Sequence, residues 1–387
     1  MKLIDICIRE IGIPFATTFK HALATRTRTS AVIFEIITDD SIHGYGEGTP
    51  REYVTGESIR STVHALKRIA EKLIGLELDP AHDPIEQVEV LMHSLLNRSE
   101  NTPSAKCAVE LALLDAIGKI TGKSILEQIG PQKTTAINYS IVISDESLAA
   151  TEKLLTQVKA LDFQQVKIKV GNDMDADIKK LNLVRSILGD RIRLRIDPNS
   201  AWDLEEAVLK TNHYHDNFGV HIVEQPISAE RRGDYPALLE RIAPRIKIIL
   251  DESICTLDDA RWFIKNRGAA GFNLKISKHG GLLDTFKIYQ LACENGFDCQ
   301  LGCHVGETSI LTAAGQTFAG LADRLIAYEG AFGEYLLTHD IVKAPLQFGY
   351  QGAYRLDQLT AMPGLGLEID GALLDKATAR QFRISEN

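Results

Sequence analysis

Short apolar segments alternate with longer amphipathic ones from about residue 136 to residue 330, at a nearly constant spacing. The apolar segments predict strands, and the segments between them, such as "SLAATEKLLTQVKAL", have the 3.6-residue period of helices. The predicted strands are "AINYSIVI", "QVKIKV", "RLRID", "VHIVE", "IKIILD", "GFNLKIS", "DCQLGC" and "RLIAYEG". A strand-then-helix unit of about 27 residues, used eight times, predicts an α/β fold with a closed barrel of parallel strands. An open doubly wound sheet is the alternative, but no G-x-G-x-x-G motif follows the first strand to favour it.

The first 125 residues follow a different pattern. The strand-like segments "AVIFEIITDD" and "HGYGEG" precede two long helical patterns, "ESIRSTVHALKRIAEKLIG" and "SAKCAVELALLDAIGKITG". Strands followed by a block of helices are typical of an α+β unit. We therefore expect an α+β domain over residues 1–125 and a barrel over residues 126–354.

Composition and net charge bear on three questions: nucleic-acid binding, membrane association and the cellular compartment. The net charge of −9 argues against general binding to nucleic acid or to anionic membranes. No apolar run reaches the roughly 18 residues of a membrane span, and the N-terminal segment "MKLIDICIREIG" has no signal-peptide core. The six cysteines are scattered without a disulfide framework, so we expect a cytoplasmic protein.

Three of the predicted strands end in a carboxylate: Asp197, Glu224 and Asp251. The carboxyl ends of barrel strands meet at one face of the barrel, so these side chains should converge. Three converging carboxylates repel one another unless a cation lies among them. An all-carboxylate ligand set favours a hard divalent ion, with Mg²⁺ expected first and Mn²⁺ second.

Two lysines alternate with apolar residues in the strand "QVKIKV". The period of two places Lys167 and Lys169 on the same face, opposite Val166, Ile168 and Val170. A Lys-x-Lys pair is usually a solvated strand edge, but here both lysines share the strand-end register of the three acids. Lys169 is the candidate base, and the ammonium of Lys167 would lower its pKa and is available to a substrate carboxylate.

A third lysine, Lys275, ends the strand on the far side of the acids. Lysines on both sides of a cation site suit removal of the proton on the carbon next to a carboxylate, through an enediolate. One lysine would remove the proton and the other would return it on the opposite face, which inverts the stereocentre. The sequence thus predicts an enzyme acting on a small-molecule carboxylate, and it leaves a homo-oligomer open.

With these residues in place, the chain resembles the enolase superfamily, and within it the muconate lactonising enzyme subgroup. The matching motifs are Lys167-Ile168-Lys169, Asp197-Pro198-Asn199, Glu224-Gln225-Pro226, Asp251-Glu252-Ser253 and Lys275 in "FNLKISKHGG". The resemblance implies a modified (β/α)₇β TIM-type barrel with an α+β capping domain that is completed by about residues 355–387. It also implies that Asp197, Glu224 and Asp251 bind Mg²⁺ and that Lys169 and Lys275 are the acid–base pair, with Asn199 a candidate substrate contact.

Members of this superfamily that resemble mandelate racemase use a histidine on the seventh strand, paired with an aspartate on the sixth. His304 lies near the end of the predicted seventh strand, but the sixth carries Lys275 and no aspartate. The dyad is therefore absent from the sequence. His304 is either a substrate contact or a loop residue, and both readings stay open.

Different segments of the sequence favour different reactions of the subgroup. The segment "FATTFKHALATRTRTSAVIFEI" resembles dipeptide epimerases, with Arg26 and Arg28 as candidates for a distal carboxylate. The usual Asp-x-Asp pair for a substrate ammonium is missing from "AYEGAFGEYLLTHD", where Glu329 is the candidate replacement and "FGEYLLTHDIV" is closer to cycloisomerases. We expect a racemase or epimerase of a dipeptide or N-acyl amino acid. The alternatives are a muconate-type cycloisomerase, an o-succinylbenzoate synthase-type dehydratase and, more remotely, a non-catalytic binding protein.

Overall fold

The computed structural model describes residues 1–21, 23–95, 101–144 and 147–386. The N-terminal part begins with five strands, β1 (Leu3–Ile11), β2 (Pro14–His21), β3 (Ala24–Arg28), β4 (Ala31–Thr38) and β5 (His43–Gly48). Five helices follow, α1 (Glu52–Thr55), α2 (Ile59–Leu73), α3 (Pro84–Leu95), α4 (Pro103–Thr121) and α5 (Ile125–Ile129).

Alternating strands and helices make up the rest of the chain. The strands are β6 (Ala136–Asn138), β7 (Ile141–Ile143), β8 (Gln165–Lys169), β9 (Arg193–Asp197), β10 (Val220–Glu224), β11 (Lys247–Leu250), β12 (Gly271–Leu274), β13 (Asp298–Leu301), β14 (Leu325–Tyr328), β15 (Ala353–Arg355) and β16 (Thr378–Ser385). The helices are α6 (Leu148–Val158), α7 (Met174–Leu188), α8 (Leu204–Phe218), α9 (Tyr235–Arg241), α10 (Leu257–Asn266), α11 (Ile276–His279), α12 (Leu282–Glu294), α13 (Ser309–Leu321), α14 (Gly333–Leu336) and α15 (Gly371–Ala377).

Strands β7 to β14 form one eight-stranded parallel sheet in which sequence order is also spatial order. The backbone N–H of Ser140, just before β7, donates to the carbonyl oxygen of Tyr328 in β14 at 2.8 Å, so the first and last strands meet. Seven helical connections join these eight strands along the described chain. The predicted α/β fold, a modified (β/α)₇β barrel beside a separate strand-and-helix unit, is confirmed.

The cap, as we call the four-stranded antiparallel sheet and the helices packed on it, is assembled from both ends of the chain. Its strand order is β16-β1-β4-β5, so the last strand pairs with the first. Ile6, Ile8 and Phe34 of this sheet are fully buried. Helix α2 covers the sheet with an apolar face that includes Leu66 and Leu73.

Alternate glycines in β5 let the central cap helix, α4, lie directly on the strand. A Cβ atom added at Gly46 would lie 1.9 Å from the carbonyl oxygen of Ala108, and one added at Gly48 would lie 2.2 Å from that of Ser104. These contacts are with helix backbone, which cannot move aside as a flexible side chain would. The sequence "HGYGEG" is therefore a packing motif, since only glycine allows this approach.

We expect Gly46→Ala to lower the free energy of unfolding by ~3 kcal/mol or more, because strand and helix must separate to admit the methyl group. Gly371→Ala is the matched control, since a Cβ atom there meets no atom within 4 Å. Urea unfolding followed by circular dichroism measures both variants. Equal midpoints for Gly46→Ala and Gly371→Ala would contradict the proposed role of the strand glycines.

Two further features of the described residues bear on the predictions from composition. No helix in the described ranges is both long and apolar enough to cross a membrane. All six cysteines are free thiols, and those that lie in the core, such as Cys7 and Cys107, behave as small apolar residues.

Candidate active site

The predicted acids and lysines lie together at the carboxyl ends of the barrel strands. Lys169 and Asp197 are register partners in the neighbouring strands β8 and β9. Asp197 and Glu224 are fully buried, and Asp251 is 1% exposed. The two lysines of β8 are 2% and 8% exposed, so the period-two alternation correctly predicted that both side chains lie inside the protein.

Each predicted metal-binding carboxylate is paired with a lysine ammonium. Lys169 Nζ donates to Asp197 Oδ2 at 2.5 Å, and Lys275 Nζ donates to Asp251 Oδ2 at the same distance. Lys167 Nζ lies 3.0 Å from Glu224 Oε1 and 3.5 Å from Asp197 Oδ2. The ammonium groups of β8 therefore share one carboxylate oxygen and lie next to each other.

Burial and ion pairing have opposite effects on the pKa values of this cluster. Burial opposes ionisation of Asp197, but Lys169 and Lys167 outweigh it and lower the pKa of the carboxyl group. Burial also disfavours a charged Lys167, yet Glu224, Glu329 and Asp197 raise its pKa above the usual value. Lys167 is thus an ammonium group that lies beside Lys169.

The donor set fits a hard divalent cation. It consists of carboxylates on three adjacent strands, all buried, and Asp197 and Asp251 are close enough for the charge of one to raise the pKa of the other. In the described part of the chain, no three acidic, histidine or cysteine side chains form a ready-made ligand cluster. Each acid is instead paired with a lysine that balances its charge.

A polar network fills the barrel beneath these groups. Glu224 accepts hydrogen bonds from Asn273 at 2.9 Å and from Gln300 at 2.6 Å, in addition to Lys167. Gln300 in turn accepts from Arg195 at 2.8 Å. Sequence reasoning missed these partners, although Arg195 precedes Asp197 by two residues in β9, the same spacing that led to the lysine pair.

Two more residues that the sequence reasoning passed over lie beside the acids. Lys278 is fully buried and donates to Asp251 Oδ1 at 2.8 Å, and its spacing from Lys275 on a short helix could have signalled it. Glu252 accepts from Asn199 Nδ2 at 3.0 Å, while Asn199 Oδ1 accepts from Lys169 at 2.8 Å. Burial and the neighbouring Asp251 and Asp197 raise the pKa of Glu252 to about 7. Asn199, predicted as a substrate contact, therefore positions the Lys169 ammonium here.

A cavity opens over the strand ends, between barrel and cap. Lys167, Lys169 and Lys275 line it, together with Asn199 and Glu329. Its apolar wall comes from the β2–β3 hairpin, strand β7 and the segment after β14, and includes Phe19, Val142, Ala331, Phe332, Leu336 and Leu337. The site can therefore enclose a ligand with both charged and apolar parts.

The predicted substrate-binding residues occupy different places around this cavity. Arg26 lies over the ring of Tyr53, which lines the cavity, with 5.8 Å from the guanidinium carbon to the ring centre. Arg28 is exposed and donates to the carbonyl oxygen of Gly12 at 2.9 Å. Glu329 accepts from Lys167 at 2.8 Å and pairs with Arg195 at 2.9 Å, so two cations of the protein already hold it.

His304 lies in the loop after β13, where cap residues hold it. Its Nδ1 atom is 2.9 Å from Thr49 Oγ1, and the side chain lines the cavity with 4% exposure. Arg51, also from the cap, is buried and donates to the carbonyl oxygens of Val305, Ser30 and Pro50. The loop is thereby fixed to the cap.

We expect Arg51→Met to lower the free energy of unfolding by ~2–4 kcal/mol, since it leaves three carbonyl oxygens without their donor. Arg28→Met is the control, because it removes one exposed hydrogen bond and should change stability by less than ~0.5 kcal/mol. Denaturant unfolding compares the two. A loss from Arg28→Met as large as that from Arg51→Met would refute this account of the loop.

Both parts of the chain match the models of one known family. The family model "Enolase C-terminal domain-like" matches residues 149–373, and "Mandelate racemase / muconate lactonizing enzyme, N-terminal domain" matches residues 3–130. The chain belongs to the enolase superfamily. Its sequence is 31% identical to the hydrophobic dipeptide epimerase of Enterococcus faecalis over 81% of this chain and 86% of that one. It is 28% identical to the N-succinyl-L-Arg/Lys racemase of Bacillus cereus over 98% and 99% of the two chains.

Solved structures of the superfamily agree in fold over almost the whole chain. The N-succinyl Arg/Lys racemase from Bacillus cereus superposes with a TM-score of 0.87 at 26% identity and covers 99% of this chain and 100% of its own. Muconate lactonizing enzyme from Pseudomonas fluorescens, complexed with muconolactone, gives 0.86 at 26% identity, covering 97% and 99%. A dipeptide epimerase from Enterococcus faecalis, complexed with Mg and L-Leu-L-Tyr, gives 0.83 at 26% identity, covering 95% and 100%.

These comparisons confirm the superfamily and its muconate lactonising branch. They also confirm the prediction of an isomerase of this superfamily, since the similar epimerases, racemases and cycloisomerases are all isomerases. The roles of individual site residues in this chain stay predictions.

Proposed function

We propose that this protein racemises or epimerises the α-carbon of an amino-acid derivative, either a dipeptide or an N-acyl amino acid. The observation that carries the proposal is the placement of Lys169 and Lys275. Both line the cavity. Lys169 ends β8 and Lys275 directly follows β12, with the three acid-bearing strands between them. Two lysines on opposite sides of a bound α-carbon suit removal of a proton from one face and its return to the other.

The three acids Asp197, Glu224 and Asp251 would hold a divalent cation, with Mg²⁺ the first choice for carboxylate ligands. When bound, the cation would supply positive charge against the charge that develops on the substrate carboxylate. A similar dipeptide epimerase structure contains Mg together with its dipeptide. With Asp197 and Asp251 holding the cation, Lys169 and Lys275 would be available to the substrate.

The remaining residues would orient the substrate and keep Lys169 in reach of it. Asn199, itself held by Glu252, fixes the Lys169 ammonium from one side. Lys167, paired with Glu224 and Glu329, would keep a second ammonium near Lys169 that is available to the substrate carboxylate. The apolar wall that includes Phe332 and Leu337 would exclude water and accept an apolar substituent.

A mass-spectrometric screen in D₂O with Mg²⁺ tests the proposal. Pools of dipeptides, N-acyl amino acids and N-succinyl amino acids are incubated with the protein, and deuterium uptake and optical purity are followed together. We expect one deuterium at an α-carbon with matching loss of optical purity. Absence of uptake in every pool would refute the proposal and turn attention to cycloisomerase and dehydratase substrates.

A further inference from the structure

Nε2 of His304 is a buried nitrogen in the cavity lining that has no hydrogen-bond partner among the described residues. The other such atoms in this lining are carboxylate oxygens, Glu252 Oε2 and Glu329 Oε1. The other ring nitrogen, Nδ1, is turned to Thr49 of the cap. A buried polar atom without a hydrogen bond costs about 1–3 kcal/mol unless a ligand satisfies it. The atom therefore points to a ligand group that the mechanism described above does not use.

The hydrogen bond to Thr49 determines which nitrogen of His304 carries the proton. Thr49 is fully buried, and its hydroxyl group has Nδ1 as its one hydrogen-bond partner in the described chain. If Nδ1–H donated to Thr49, the hydroxyl hydrogen would be left buried without an acceptor. The hydroxyl group therefore donates to Nδ1, and the proton of the neutral ring is on Nε2.

The surroundings of the ring keep it neutral. Burial, the Arg51 guanidinium and the Lys275 ammonium lower the pKa of His304 well below its usual value. The Asp251 carboxylate opposes this shift. The Glu307 carboxyl group lies next to the ring, and its Oε1 accepts from the backbone N–H of His304 at 2.5 Å. Glu307 lines the same wall, and burial raises the pKa of its carboxyl group to about 8.

A single neutral N–H donor suits an uncharged acceptor. A substrate carboxylate at this position would lose hydration that one neutral imidazole N–H cannot replace. An amide carbonyl oxygen needs only one donor, and every dipeptide or N-acyl amino acid has such an oxygen next to its α-amino nitrogen.

We propose that His304 is a substrate-binding residue whose Nε2–H donates to the amide carbonyl oxygen of the substrate, and that Thr49 is the positioning residue that sets this tautomer. The inference rests on the proposed function for the identity of the substrate. It gives the loop after β13 a role in substrate specificity, and it gives the cap, through Thr49, a part in substrate recognition.

Two isosteric variants separate the two nitrogens of the ring. In His304→Asn the amide can still reach Thr49 but has no donor at the Nε2 position, whereas His304→Gln places an amide N–H near that position. For the substrate found in the D₂O screen, we expect His304→Asn to raise KM about 5–10-fold with kcat changed less than about 2-fold. His304→Gln should stay within about 2-fold of the unchanged protein. Equal KM values for both variants and the unchanged protein would overturn the proposal.

A substrate analogue tests the carbonyl oxygen itself. In an N-alkyl amino acid, a methylene group replaces the amide carbonyl while the α-carbon and carboxylate are kept. His304→Asn should not change the apparent affinity for this analogue, because the contact is already missing. A loss for the analogue as large as that for the amide would show that His304 acts on the cavity as a whole, and would overturn the proposal.

Nitrogen-15 NMR of the histidine rings gives a readout that does not depend on turnover. We expect His304 to be neutral and protonated on Nε2, with the preference retained in Thr49→Ser and lost in Thr49→Val. Adding Mg²⁺ and an N-acyl amino acid should shift the Nε2–H resonance, and adding the N-alkyl analogue should not.

The NMR experiment also distinguishes failure of this inference from failure of the proposed function. If the protein exchanges no α-proton but the Nε2–H resonance responds to the amide, the isomerisation proposal fails and the His304 assignment stands. A ring protonated on Nδ1, or a resonance that no amide shifts, would overturn the His304 assignment whatever the turnover.

Discussion

Replacement of Lys169 or Lys275 by alanine should reduce racemisation by at least ~10³-fold, because each lysine is the proton carrier on one side of the substrate. The loss should differ from that of an unfolded protein in one respect. With one lysine left, the enantiomer whose α-proton faces it should still exchange that proton with D₂O, while inversion is lost. Lys169→Ala and Lys275→Ala should therefore keep exchange of opposite enantiomers, as measured by mass spectrometry on optically pure substrates.

Lys153→Ala is the matched control, since Lys153 is exposed on α6, away from the cavity lining, and should leave turnover unchanged. Circular dichroism of all three variants checks that the fold is intact. The two-base assignment would be falsified if either Lys169→Ala or Lys275→Ala kept turnover within ~10-fold of the unchanged protein. Exchange of the same enantiomer by both variants would contradict the placement of the lysines on opposite faces.

Removal of divalent cations by EDTA should abolish turnover, and Mg²⁺ should restore it, because the substrate carboxylate would otherwise have no cation to bind beside the three acids. Binding can also be followed without substrate. At a Mg²⁺ concentration of about 100 times the dissociation constant, the folded state should gain ~2.7 kcal/mol, seen as a rise in the thermal midpoint.

The thermal shift should disappear in Glu224→Gln and Asp251→Asn, each of which removes one carboxylate from the proposed ligand set. Asp258→Asn is the control, since its side chain is 87% exposed on α10 and its loss should leave the shift intact. A Mg²⁺-dependent shift of full size in both site variants would show that the cation binds elsewhere. Mn²⁺ in place of Mg²⁺ tests the second expected ion in the same experiment.

Period and register were enough to predict the barrel and its central residues. Parallel barrel strands are buried on both faces, so an inward-facing lysine is conspicuous in the sequence, and Lys167 and Lys169 could be recognised at once. The spacing of about 27 residues then aligned Asp197, Glu224 and Asp251 at one end of the sheet. Local pattern and global fold agree here, which is why the barrel and these residues could be predicted from the sequence.

Contacts between cap and barrel could not be predicted in this way. Thr49 and Arg51 are 255 and 254 residues from their partners, His304 and Val305, and no periodicity connects such distant segments. The role of Arg28 shows the same limit, because the sequence contains the charge but not the nearby Gly12 carbonyl that binds it. Glu329 was expected to be available to a substrate, yet closure of the barrel brings it to Lys167 and Arg195.

Because β1 pairs with β16, the cap sheet cannot be completed until the end of the chain has been synthesised. A ribosome releases the first strand of the cap long before it makes the last, so one edge of β1 stays open while more than 350 residues are added. An open edge with apolar residues such as Ile6 and Ile8 is a template for unwanted pairing between nascent chains. A chain truncated before Thr378 would keep every candidate catalytic residue and still expose this edge, so we expect it to aggregate during expression.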